Sequence, residues 1–171
     1  MKTYLVIPVI VVLCGCGMMR KMADSVYIHQ RTPAKDDPEI LDSLLIVGNG
    51  NSATQRIMEE VMPLFIERLK QRGITSTSVF ISYSNQRINE TEFDNQNYAH
   101  TLWIYEQDRS LQKLADHNYL VPLAMKLTDN RTSDNVWIAT SIFNDLVRKK
   151  FYRDRYAGTL VLLFRASGFV K

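Results

Sequence analysis

The side chains able to do chemistry in this chain are few, and two of them, Cys14 and Cys16, sit together behind an apolar run at the amino terminus. No other cysteine occurs in the 171 residues, so nothing after position 16 offers a thiol as nucleophile, metal ligand or disulfide partner. His29, His100 and His117 are the only histidines, and no two have the spacing of a metal-binding pair. Serines and aspartates are plentiful, but no nucleophile elbow marks one serine as reactive. Glu59 and Glu60 are neighbours on an expected helix and so do not share a face, and Glu90, Glu92 and Asp94 fall in a polar stretch where carboxylates are solvated. Gly48-Asn49-Gly50-Asn51-Ser52 joins a strand to a helix, a place where free backbone N–H groups can hold an anion. It matches neither GxxxxGK[ST] nor GxGxxG, so a turn with a helix cap is the plainer account. No catalytic residue, metal site or cofactor is expected from these patterns.

The amino terminus has the form of a leader: Lys2, an apolar run from Tyr4 to Leu13, then Leu13-Cys14-Gly15-Cys16. The run is too short to span a bilayer, which takes about 20 apolar residues. The four-residue ending resembles the lipobox of bacterial lipoproteins. Gly15 supplies the small side chain required beside the scissile bond. The thiol of Cys16 is then the group that takes the lipid, and cleavage falls between Gly15 and Cys16. More than one acyl chain on that cysteine gives a stable anchor. Residues 1–15 are therefore expected to be a signal peptide, 16–40 a lipidated tether punctuated by Pro33 and Pro38, and 41–171 a single domain. Gly17 follows the cysteine where an inner-membrane retention signal would place aspartate, which implies an outer-membrane, periplasm-facing location.

A net charge of +3 is close to neutral for this length and is no nucleic-acid signature. The apolar pattern from Ser43 to Gly48 reads as a buried strand. Ser52 and Gln55 have capping-box spacing, and Ile57, Val61, Leu64, Phe65 and Leu69 follow as a helical stripe that Gly73 ends. Pro63 should kink this helix near Glu59 or Glu60, or else separate it into two. Ser76–Ser82, Ala99–Tyr105, Tyr119–Thr128 and Val136–Phe143 read as further strands, the last two joined by a polar hairpin turn. Val26 and Ile28 alternate with polar residues and allow a short edge strand. A helix over Tyr152–Ala166 closes the chain, with Leu160, Val161 and Phe164 inward. The expectation is an α/β (α+β) fold: a mixed sheet of about five strands with two main helices, in β-α-β-β-β-β-α order.

Three features together resemble a set of Gram-negative envelope lipoproteins built on a fold like the amino-terminal domain of TolB. They are the lipobox, the hairpin containing Leu127-Thr128-Asp129 and Val136-Trp137-Ile138, and the ending Ser167-Gly168-Phe169-Val170. The set includes the curli-secretion lipoprotein, PelC and penicillin-binding-protein activator lipoproteins. The resemblance implies a non-enzymatic role, binding envelope proteins or assembling with copies of itself. This chain has no room for the long hairpin insertions of a secretion barrel. Candidate contact residues are Trp137 and the basic run Arg148, Lys149, Lys150, Arg153 and Arg155, which suits anionic lipid headgroups or an acidic partner. Expected partners are the membrane, through the lipid anchor, and an envelope protein or a second copy, but no nucleic acid. Two alternatives stand beside this: an envelope enzyme or small-ligand binder with a pocket above Gly48–Ser52, and an oligomeric subunit of a secretion assembly.

Overall fold

The computed structural model of the chain describes residues 27–30, 39–82, 97–106, 112–113, 119–144 and 150–171. The expected leader and Cys16 lie outside these residues. The elements, in chain order, are β1 (Tyr27–Gln30), β2 (Ser43–Gly50), α1 (Ser52–Glu60), α2 (Met62–Lys70), β3 (Thr75–Ser82), β4 (His100–Glu106), β5 (Gln112–Lys113), β6 (Tyr119–Asp129), β7 (Asn135–Asn144) and α3 (Lys150–Ala166).

The strands form one mixed sheet in the order β1-β7-β6-β4-β2-β3, with β5 paired to β6 beside this path. β2 is parallel to both of its neighbours, β3 and β4, and every other pairing is antiparallel. Its continuous apolar run follows from that position, because a parallel strand inside a sheet is covered on both faces. Leu44, Leu45, Ile46 and Val47 are all buried. The five expected strands are present, extended by one or two residues at several ends, and β1 and β5 make seven. β1 is the short edge strand that the alternation around Ile28 allows. A two-residue strand such as β5 is too short to show any period.

Of the two outcomes open for the first helical stripe, the structure has the second, two helices. α1 stops at Glu60, and Val61 (φ −102°, ψ −43°) separates it from α2. Pro63 lies in the first turn of α2, where its missing N–H would have had no partner anyway. Met62, Phe65 and Leu69 still face the core. Both α2 and α3 end in the same reciprocal pattern. Gly73 N–H donates to Lys70 O (3.0 Å) and Ile74 N–H to Leu69 O (3.1 Å), while Gly168 donates to Arg165 O (3.0 Å) and Phe169 to Phe164 O (2.9 Å). The two glycines have φ +79° and +81°, a conformation that costs a side chain but not a glycine.

All three helices contribute to one core cluster with Leu44, Ile46, Leu102, Ile104, Leu123, Met125 and Leu127 of the sheet. α3 turns Tyr156, Ala157, Leu160, Val161 and Phe164 inward, one helical stripe. Tyr156 Oη lies 2.6 Å from Ser141 Oγ, and burial pushes that phenol up to about 12. The other sheet face carries Leu45, Val47 and Trp103, with Ile81, Tyr98 and Tyr105 partly buried around them. Trp103 stacks on Tyr105 (centroids 6.1 Å apart), and Lys126 Nζ stands 5.9 Å from the Tyr105 ring. No helix among the described residues is long and apolar enough to cross a membrane.

Candidate functional site

Antiparallel pairing puts His100, the first residue of β4, opposite Asp129, the last of β6. The turn after Asp129 folds Arg131 back. Its backbone N–H (2.9 Å) and Nε (3.3 Å) donate to Asp129 Oδ1, and Nη2 lies 3.3 Å from Oδ2. Arg131 Nη2 also pairs with Glu39 from the segment preceding β2. Asn130 fixes the turn: its N–H donates to Ala99 O (2.9 Å), its Nδ2 to Tyr98 O (2.8 Å), and its Oδ1 accepts from Thr101 Oγ1 (2.8 Å).

One ligand atom each from Glu39, His100 and Asp129 lie within 4.8 Å of one another, a donor set that a divalent metal could use. Arg131 decides against that reading. Its guanidinium already holds both carboxylates, a positive charge where the ion's charge would have to go. The cluster therefore works as a clasp, tying the entry to β2 and the β6–β7 hairpin to the start of β4. Its members come from three separated segments, so residue spacing gives no sign of it.

His100 is 2% exposed and its Nδ1 has no hydrogen-bond partner. Burial lowers its pKa from the usual 6.5, against the opposing pull of Asp129 and Glu39. Burial also works against the Asp129 carboxylate, but hydrogen bonds from Arg131 and its charge outweigh this and hold the group below its usual range. The folded chain thus resists protonation at His100, whereas the unfolded chain takes up the proton near 6.5. The stability due to neutral His100 is complete above that pH and is lost as pH falls through the lowered folded value. The Asp129 contribution disappears only further down, below the ordinary carboxyl value of 3.8. The urea midpoint is expected to fall between pH 7 and 5, and His100→Gln to flatten that part of the profile. An unchanged slope in the variant would remove His100 as its source.

At the opposite end of β2 the Gly48–Ser52 segment differs from the expected turn. The strand continues through Gly50, and α1 starts two residues later. A Cβ on Gly48 would meet Met58 Cγ at 2.4 Å, and one on Gly50 would meet Thr54 Oγ1 at 2.2 Å. α1 is therefore packed directly onto the glycines on their helix side. Asn51 Nδ2 donates to Glu106 Oε1 (2.8 Å), which places a carboxylate beside the helix start and opposes an anion there. Among the described residues an open groove of about 590 Å³ runs between α2 and α3, lined by Leu64, Arg68, Arg72, Gly158, Val161 and Leu162.

The expected contact residues divide. Trp137 is fully buried, with its ring 5.2 Å from that of Phe164. It belongs to the core and offers no contact surface, because the β7 face that carries it lies beneath α3. Arg153 is engaged with Glu60 of α1 (3.2 Å) and joins α3 to the rest of the helix layer. Lys150 and Arg155 are exposed, with Phe151 between them at 66% exposure. Arg148 and Lys149, like Gly15 and Cys16, lie outside the described residues.

No protein-family model and no curated protein matches the sequence. Among solved structures, the PelC dodecamer from Paraburkholderia phytofirmans is 13% identical, with TM-score 0.49, covering 84% of this chain and 97% of that one. Lipoprotein GNA1162 from Neisseria meningitidis is 12% identical, with TM-score 0.46, covering 72% and 98%. Protein XCC0632 from Xanthomonas campestris, of the DUF330 family, is 13% identical, with TM-score 0.46, covering 80% and 91%. The solved structures to which this chain is similar thus include PelC.

Proposed function

We propose that this chain is a membrane-anchored lipoprotein of the bacterial envelope, facing the periplasm from the outer membrane, and that it serves as a binding or assembly accessory rather than as a catalyst. The observation that carries the reading is the sequence Leu13-Cys14-Gly15-Cys16 behind a short apolar run. Residues 1–15 are the cleaved leader, Cys16 the acylated amino terminus, and 41–171 the working domain. The clasp at Glu39, Asp129 and Arg131 supports a structural use for the charged cluster that, among the described residues, has a metal-like donor set. Among the described residues, surfaces open to a partner include the exposed end of α3 and the edge strand β3, which pairs there with β2 alone and exposes Thr75, Thr77 and Val79.

Metabolic labelling with a clickable fatty acid tests the reading. Label is expected in the native chain and absent from Cys16→Ala, which should also keep its leader and migrate more slowly. Equal labelling of both chains, or of neither, would reject Cys16 as the anchor.

A further inference from the structure

The first residue of β1, from which the chain leads back to Cys16, and the basic end of α3 lie at one corner of the fold. β1 is antiparallel to β7, and its first residue, Tyr27, pairs with Ile142 near the end of β7. α3 runs back over β7: Tyr156 reaches Ser141, and Phe164, two turns later, reaches Trp137. The start of α3 therefore extends beyond Ser141 toward the same end of β7, with Lys150 about 9 Å along the helix axis from Tyr156. The chain from Cys16 to Tyr27 spans at most about 40 Å even when fully extended. A lipid on Cys16 consequently holds this corner, more than any other, within reach of the bilayer.

The chemistry of the corner suits such a surface. Phe151 is 66% exposed and packs edge-on against Tyr152 (5.4 Å). Among the described residues the nearby acids Glu60 and Asp154 are already matched, by Arg153 and by Arg68 at 4.0 Å. Among the described residues Lys150 and Arg155 have no carboxylate partner, and the sequence places Arg148 and Lys149 directly before them. An exposed aromatic ring among unmatched cations is the combination that binds anionic headgroups, with the ring at the acyl boundary. We propose that the amino-terminal end of α3, through Lys150, Phe151 and Arg155, docks on the anionic lipid surface to which Cys16 anchors the chain. The inference rests on the lipoprotein reading. Docking holds the β6–β7 hairpin, about 30 Å away along β7, turned toward the periplasm.

Cys16 is acylated in the mature chain and Cys14 is removed with the leader, so an introduced cysteine can be labelled alone. The full lipidated protein, carrying an environment-sensitive aromatic dye at Phe151→Cys, where the dye ring takes the place of the Phe151 ring, or at Thr132→Cys in the hairpin, is reconstituted into vesicles. These contain phosphatidylcholine with or without phosphatidylglycerol, plus headgroup-level nitroxide lipid. Quenching at 151 is expected to exceed that at 132 about threefold in the anionic vesicles, to fall in phosphatidylcholine alone or at high salt, and to be lost in Lys150→Glu/Arg155→Glu. Equal quenching at both positions, or quenching indifferent to charge, overturns the docking while leaving the anchor intact. In that case the basic end is left to an acidic protein partner. A chain that carries no acyl group and does not float with the vesicles overturns the anchor reading, and this proposal with it.

Discussion

Phe164→Ala is expected to cost about 3–5 kcal/mol, a large share of the roughly 5–15 kcal/mol that holds a domain of this size. The ring is fully buried and touches three elements at once: Phe65 of α2 at 5.6 Å, Trp137 of β7 at 5.2 Å, and Phe169 after α3 at 6.0 Å. Alanine would leave a cavity that none of these neighbours can fill, since each is fixed by its own element. The loss should also loosen the carboxyl terminus. Phe169 packs on Phe164 across the helix end, and its carbonyl accepts from Leu41 N–H (2.9 Å), the contact that sets the entry to β2. Leu162→Ala is the paired control: two residues away on the same helix but 65% exposed, it should change stability by less than about 0.5 kcal/mol. Urea unfolding followed by tryptophan fluorescence measures both, because Trp137 sits against the altered site. Similar midpoints for the two variants would contradict the placement of α3 over β7.

These effects separate what was legible in the sequence from what was not. Phe164 and its helix were legible because an inward stripe with a helical period needs only local sequence to recognise. β2 was legible for a similar reason, as an unbroken apolar run framed by turn residues. The division between α1 and α2 was legible in kind but misplaced, since proline disrupts the turn before it and the break falls where packing allows, at Val61. Trp137 was ambiguous, because an aromatic on a strand suits a core and an interface equally until the helix over it is known. The clasp was invisible. Glu39, His100 and Asp129 meet only because β4 lies beside β6 and the chain before β2 crosses their ends, a consequence of topology that no spacing encodes. The proposed lipid site at Cys16 stands at the other extreme, since a lipobox is a linear pattern and its recognition in sequence needs no fold.

Gly50 illustrates a residue whose sequence context points to one role and whose surroundings assign another. Between two asparagines it reads as a turn glycine, needed for backbone freedom. In the fold it is the last residue of β2, in register with Ser82 of β3, and its backbone has no positive φ. The constraint is proximity. Thr54, one turn into α1, is fully buried over it, with Cβ 2.6 Å and Oγ1 2.2 Å from where a Cβ on residue 50 would stand. Thr54 is branched at Cβ and cannot turn that atom away, so Gly50→Ala must push α1 off the sheet, at an expected cost of about 2–3 kcal/mol. Gly48 faces the longer, unbranched Met58, whose end atoms can move, and Gly48→Ala should cost less. Gly73→Ala gives the opposite case. Nothing lies within 4 Å of its added Cβ, so only the conformational penalty of φ +79° remains, about 1 kcal/mol. The double variant Gly50→Ala/Thr54→Ser is the deciding measurement. Serine keeps the Cβ but can turn its single γ atom aside, so it relieves the 2.2 Å overlap and should recover part of the loss, the Cβ contact remaining. If the double variant is no more stable than Gly50→Ala alone, the glycine is required by the strand itself and not by the helix that returns across it.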